Sequence, residues 1–330
     1  MRRAAFATFL GAVLALGSAV PALAQDPIPT PQPTPTPTPA PTTPPPAPKP
    51  GRVRLEVSSK AVAHGRSYVL TGDRVTVSGV VKPYVTRQTL RVRITTPHRK
   101  PTLVHAKIRK DGHFKIRFRT RRAITYTVYV RHDRTDQQQL FAAKRAVVAT
   151  TPGKGMAVVL LKQGLRALGY PAGNGPAVTS KLGRALLAFR KVNGMARVYT
   201  ANRQIYEMVF GGRGAFKLRY ASAGKHVEAD LSRQVVVLAN GGKPVATYPT
   251  SSGKPSTPTI LGHYHFYSKA PGTNAKGMFM SNYFVRGYAI HGYPDVPIYN
   301  ASHGCLRVPN ADAISIFSQI SLGESIWVYP

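Results

Sequence analysis

The chain is poor in three things. It holds one cysteine, Cys305, in 330 residues. A single thiol cannot close an intramolecular disulfide, so a disulfide-stapled scaffold is excluded. Such a thiol pairs between chains, lies buried and inert, or works as a nucleophile. Acidic side chains are also scarce: 12 Asp and Glu stand against 46 Lys and Arg, for a formal net charge of +34. The third shortage is of long apolar runs. After the first two dozen residues none is long enough to span a bilayer. The early run, Ala4 to Val20, follows Arg2-Arg3 and precedes Ala22-Leu23-Ala24, a small-x-small cleavage pattern. Residues 1–24 are therefore expected to be a secretory signal. No cysteine follows the run to carry a lipid anchor. The expected location is the cell envelope or its exterior: secreted, in the cell wall or periplasmic space.

The positive charge is unevenly placed. Residues 51–150 hold 23 basic and 5 acidic side chains, residues 151–220 hold 12 and 1, and residues 221–330 hold 8 and 5. The middle of the chain is strongly basic and the Cys305 region is nearly neutral. Such a balance usually points to nucleic acid. Export excludes that partner. It leaves wall-linked phosphate polymers, peptidoglycan carboxylates and lipid headgroups as the anions within reach, all attracted without a specific motif.

Composition divides the chain into segments. Residues 25–50 are dominated by Pro and Thr, cannot bury a core, and predict a stiff polyproline spacer. Residues 51–149 predict an N-terminal all-β, immunoglobulin-like sandwich. Leu90–Ile94 and Phe114–Phe118 alternate apolar with polar, Tyr126–Val130 keeps a period of two, and Val75–Gly79 adds a strand. Arg91, Arg93, Lys115, Arg117 and Arg119 are expected to form one basic sheet face. Residues 153–212 change to a helical period, with Val158, Leu161, Leu165 and Leu168 on one face, and predict three helices. Residues 224–330 predict a mostly β domain with one helix, N-capped by Asn310. In it Tyr283 to Ile290 is a single apolar stretch leading into His291.

Cys305 lies in Ser302-His303-Gly304-Cys305-Leu306-Arg307, fourteen residues after His291. A cysteine nucleophile needs a base, oxyanion donors, and a group that fixes the base's tautomer. His291 can be the base. The carbonyl of Gly292 can accept its other N–H. Gly304 lets the backbone turn tightly and present the amides of Gly304 and Cys305. The alternative is a zinc site drawing on His263, His265, His291, His303 and Cys305, since imidazole and thiolate suit that ion. Against it, His263 and His265 alternate with Tyr264 and Phe266 in a strand pattern.

These residues resemble the catalytic domain of the L,D-transpeptidases, the YkuD-like family, whose hallmark is a histidine followed by Ser/Thr-His-Gly-Cys. The likeness runs from about Lys225 to Val328. Within it Ser251-Ser252-Gly253 and Thr257-Pro258-Thr259, with Gly262, match the family's approach to its site. The resemblance implies a YkuD-like β-sandwich with a helix, Cys305 as nucleophile and His291 as proton donor and acceptor. Ser302, His303, Gly304 and Gly292 would shape the pocket and oxyanion hole, and Arg307 would meet a substrate carboxylate. No metal and no cofactor are implied. The implied partners are peptidoglycan stem peptides and glycan, with anionic wall polymers held by the basic domains. The implied reaction is a 3→3 cross-link made through a Cys thioester. The alternatives are an L,D-carboxypeptidase, with water as acceptor, and a non-enzymatic wall-binding protein. Only ten residues, Gly292 to Ala301, separate His291 from Ser302, so a short lid is expected on that side. The helical segment resembles the small three-helix peptidoglycan-binding domain through Leu161-Lys162, Leu168-Gly169-Tyr170, Ala185–Phe189 and Asn193-Gly194. That family often carries glutamine where Lys162 and Arg190 stand here.

Overall fold

The strict alternation of the basic segment produces two sheets that close on each other. In a computed structural model, which describes residues 45–59 and 61–330, the strands are β1 (Arg52–Val57), β2 (Ala61–Ala63), β3 (Arg66–Leu70), β4 (Arg74–Lys82), β5 (Thr89–Thr95), β6 (Thr102–Lys107), β7 (His113–Arg119), β8 (Thr125–His132) and β9 (Phe141–Thr150). The sheets run β1-β4-β7 and β2-β3-β9-β8-β5-β6. Their inward residues, among them Val75, Val77, Leu90, Val92, Phe114, Ile116, Val128 and Val130, share one core. The expected single basic face is corrected here. β5 and β7 belong to different sheets, so Arg91 and Arg93 face out on one side and Lys115, Arg117 and Arg119 on the other. The expected signal segment lies outside the described residues, as does most of the proline-rich spacer. The spacer's end is described. Lys49 donates its N–H to Gln137 O (3.0 Å) and accepts from Gln139 N (2.9 Å), so it is already part of the β-structure.

Three helices follow: α1 (Met156–Ala167), α2 (Ser180–Val192) and α3 (Arg203–Phe210). Thr179 caps α2, its Oγ1 accepting from Leu182 N, and Asn202 caps α3 through Oδ1 and Ile205 N. Val158, Leu161, Leu165, Leu186, Phe189, Ile205 and Val209 meet in a second core. Lys162 and Arg190 do not face solvent. Lys162 Nζ donates to Asn174 O and Ala177 O (2.8 and 2.7 Å), and Arg190 Nε to Thr200 O (2.9 Å). Both cations hold loop carbonyls in place.

The remaining elements are β10 (His226–Asp230), β11 (Val235–Asn240), β12 (Lys243–Pro249), β13 (Gly262–His265), β14 (Ser268–Thr273), β15 (Phe279–Val285), β16 (Tyr288–Tyr293), β17 (Leu306–Pro309), α4 (Asn310–Gln319) and β18 (Ser325–Tyr329). They form sheets β12-β11-β10-β18-β13 and β14-β15-β16-β17. Ile290, Leu306, Val308 and Ile316 from one side meet Val227, Val236, Leu238 and Ile326 from the other in a third core. The β11–β12 turn is at Gly241 and Gly242, both at positive φ, as a tight hairpin requires. Two details differ from the sequence reading. The apolar stretch Tyr283 to Ile290 is not one strand. It folds back at Arg286-Gly287, with Arg286 at φ 48°, into the β15–β16 hairpin. Asn310 is the first residue of α4 and makes no capping bond, since Pro309 precedes the helix.

Candidate active site

Two parallel neighbours bring the reactive residues together. β16 and β17 pair in parallel, with His291 opposite Arg307 and Ile290 opposite Leu306. Cys305 is the residue just before β17, so its thiol sits at the mouth of this pair. His291 Nδ1 donates to Gly292 O (2.8 Å). That bond fixes the tautomer and leaves Nε2 as the nitrogen able to take a proton. Gly292 has to be glycine. A Cβ added there would lie 2.6 Å from Asn310 Oδ1 and 2.8 Å from Ala313 Cβ, so α4 packs directly on the base-bearing strand.

The turn Ser302–Cys305 is held from several sides. Ser302 Oγ donates to Cys305 O (2.6 Å) and accepts from Gly304 N (3.0 Å). Thr259 Oγ1 donates to Gly304 O (2.7 Å), and Thr257 Oγ1 to Ser302 O (3.1 Å). Ser251 and Arg307 exchange both backbone bonds, each 3.0 Å. The Ser251–Gly253 and Thr257–Thr259 segments are thus a cradle for the turn. Gly304 has φ +115°, and a Cβ on it would meet Tyr288 Cε1 at 2.5 Å, so no other residue fits. One expectation changes. The Gly304 N–H is committed to Ser302 Oγ, which leaves the Cys305 N–H as the amide at the thiol.

Cys305 is half-buried and its Sγ donates to Gly287 O (3.6 Å). Burial pushes its thiol up from the ordinary value, against the Ala289 backbone N–H and the positive charges of Arg307 and Lys276. Burial pushes His291 down, offset in part by its bond to Gly292 and reinforced by Arg307. Both shifts favour the uncharged forms, thiol and imidazole. A base so placed would act as the thiol attacks, not beforehand. The sign gives a prediction. The competent form, with His291 unprotonated, is lost as pH falls through the lowered imidazole value. The acid limb of kcat/KM should therefore have its midpoint below 6.5, the ordinary imidazole value. A pH–rate profile with the midpoint above that value would sink the neutral-pair reading.

The cleft around these groups has a volume of about 630 Å³ and is lined by His291, Ser302, His303, Cys305 and Arg307. Gly304 and Gly292, expected in the pocket, are not among its lining residues; they act on the turn and the strand that carry Cys305 and His291. The sequence reading missed its other wall: Asn274, Lys276, Met278, Tyr283 and Tyr293. Asn274 Oδ1 accepts from the N–H groups of Lys276 and Met278 and its Nδ2 donates to Tyr283 OH (3.1 Å), which folds the β14–β15 turn over the thiol. The wall on this side comes from that hairpin, while the segment after His291 is short. Arg307 lies over the Tyr293 ring at 4.1 Å. Neither Arg307 nor Lys276 forms an ion pair among the described residues. His263 and His265, which the zinc alternative needs beside Cys305, lie on β13 in the other sheet. His263 stacks on Trp327 there, at 4.1 Å.

The helical unit reaches the back of this site with three cations. Arg184 of α2 makes a two-pronged ion pair with Asp312 of α4 (2.7 and 2.9 Å). Lys191 of α2 is buried and its Nζ donates to Gln234 O and Thr250 O (3.2 and 2.8 Å). Burial, with some help from Arg197, pulls the Lys191 ammonium down to about 7. Arg197 Nη1 donates to Ile298 O (2.8 Å), in the segment between β16 and the Cys305 turn. Thr250 Oγ1 in turn donates to Arg307 O (2.7 Å).

A thiol, a tautomer-fixed imidazole and a glycine-dependent turn thus lie together at the paired strands β16 and β17, the groups that cysteine acyl transfer requires. Residues 224–328 match the family model of the L,D-transpeptidase catalytic domain, YkuD. L,D-transpeptidase 1 of Mycobacterium tuberculosis is 28% identical over 121 residues, covering 30% of this chain and 48% of that protein. The chain thus spans about half the length of the curated relatives it matches. Among solved structures, the L,D-transpeptidase (residues 123–326) from Xylanimonas cellulosilytica is 28% identical. It covers 53% of this chain and 94% of its own, with a TM-score of 0.47. An L,D-transpeptidase from Mycobacterium smegmatis is 14% identical, covers 84% of this chain and all of its own, and has a TM-score of 0.30.

Proposed function

We propose that the protein is a peptidoglycan L,D-transpeptidase that joins stem peptides by 3→3 cross-links. One observation carries the reading: Cys305 and His291 share a cleft with two cations, Arg307 and Lys276, that form no ion pair among the described residues. Such a cleft suits a peptide that ends in a carboxylate. Cys305 Sγ attacks the carbonyl carbon of the stem's third residue, and its proton passes to His291 Nε2. The C–N bond to D-alanine breaks as that proton is delivered to the leaving amine. An amine of a second stem then attacks the thioester, a new C–N bond forms, and the thiolate leaves and regains its proton. Water in place of the amine makes the reaction an L,D-carboxypeptidation.

This reading places the protein outside the membrane, at the wall. The basic sandwich supports an anchoring role there. Arg99, Lys100, Arg119, Arg121 and Arg122 line one cleft of about 650 Å³ and none forms an ion pair among the described residues. A phosphate-bearing wall polymer would meet it by charge alone. The test of the reaction is direct. Protein incubated with a disaccharide tetrapeptide should release D-alanine and yield a dimer joined 3→3 in mass spectra. D-alanine with no dimer would favour the carboxypeptidase, and neither product would overturn the enzyme reading.

A further inference from the structure

Beside the Cys305 cleft lies a second groove, of about 540 Å³, between α2 and the segment Tyr293–Pro297. We infer that it seats the sugar that carries the stem peptide attached at Cys305. The inference rests on the stem-peptide reading above and names a further part of the same substrate.

Three observations lead to it. The first is continuity. Tyr293 lines both the cleft and the groove, so one ring is their common wall. The second is length. Tyr293 stands two residues beyond His291 on β16, about 7 Å along a strand that rises about 3.3 Å per residue. In a peptidoglycan stem the sugar is joined to the first residue and the attacked carbonyl belongs to the third. Three extended residues span at most about 10 Å. A stem held at Cys305 therefore sets its sugar one groove away. The third is charge. The two cations of the groove are already occupied, Arg184 by Asp312 and Lys191 by two carbonyls. The groove offers no free cation, whereas the cleft offers Arg307 and Lys276. A charged peptide end belongs in the cleft. An uncharged ligand with hydroxyls and an apolar ring face belongs in the groove, whose walls are largely apolar.

The rim is made for such a face. Tyr199 and Val178 are large apolar side chains of this lining left 48% and 71% exposed. Tyr199 lies across Gly183 of α2. A Cβ added at Gly183 would already touch Tyr199 Cβ at 3.4 Å, so the glycine sets how closely the tyrosine lies to the helix.

The experiment compares two donors in the full chain: a disaccharide tetrapeptide and the bare tetrapeptide. Wild type should use the disaccharide form with a kcat/KM at least about tenfold higher, about 1.4 kcal/mol of binding realised at the groove. Tyr199→Ala should bring the two within about twofold of each other while leaving the bare tetrapeptide unchanged. Val178→Asp, in the same lining, should do the same. Equal use of both donors by wild type, a preference that survives in both variants, or an equal loss on both donors would overturn the inference. No turnover of either donor by wild type would overturn the cross-linking reading, and this one with it.

Discussion

Cys305→Ala should lower kcat/KM by more than about 10⁴-fold, because the nucleophile is removed while the fold is kept. The thiol is half-buried and its one contact of note is the weak bond from Sγ to Gly287 O. The turn that presents it is held by Ser302, Thr257 and Thr259, none of which touches the sulfur. The variant should therefore melt within a few degrees of wild type. It should also lose the mass increment of the acyl-enzyme formed from the tetrapeptide. Retained D-alanine release by this variant would end the case for a thioester. His291 is a weaker lever. Even with the base gone, a thiolate formed at high pH can attack, so the loss from removing it should shrink as pH rises.

The second large effect falls on stability. Asp312→Ala should cost about 3–5 kcal/mol, the usual result of stripping one partner from a buried ion pair. Asp312 is 4% and Arg184 15% exposed at the side chain, and both prongs of the guanidinium are engaged. The variant strips Arg184 of its one ion-pair partner among the described residues. Asp312 also lies in the first turn of α4, where a negative charge is favoured by the helix dipole. The paired change Arg184→Met with Asp312→Leu should recover most of the loss, since an apolar pair of similar volume is often as stable. Urea unfolding distinguishes the cases. If the double variant is no more stable than Asp312→Ala alone, the cost does not arise from an orphaned cation.

The contrast between these two sites explains what the sequence could disclose. Cys305, His291 and the residues around them lie in short contiguous motifs, and chemistry of that kind needs fixed local spacing. The period-two strands and the helix faces are also local patterns. The cradle Ser251–Thr259 was legible as a motif, though not as a set of hydrogen bonds to the catalytic turn. Lys276 was not legible. It reaches the cleft through a turn folded by Asn274, and nothing near it in sequence marks it. Lys191 and Arg184 carry no local mark of a special role in the sequence. Their partners, Thr250 and Asp312, are 59 and 128 residues away. Pairings at that range leave no periodicity. The break of the Tyr283–Ile290 stretch is marked in the sequence by Arg286-Gly287 alone, a short signal between two apolar halves of one hairpin. The Gly304 amide was assigned to an oxyanion from local geometry alone, which could not reveal that Ser302 Oγ would claim it.

The placement of β18 has a consequence for the order in which the protein is completed. This strand lies between β10 and β13, in parallel register with β10, with His226 opposite Ser325. Ninety-nine positions separate those two partners. A chain delivered from its N-terminus can close the basic sandwich and the helices from sequence already present, since their cores draw on residues that precede Ala215. The sheet of β10 cannot close until Ser325 to Tyr329 have arrived, and long-range strand pairing of this kind is slow. The domain of the thiol is therefore the last to be completed. A chain caught part-way would present its closed basic sandwich and helices before the cleft at Cys305 exists.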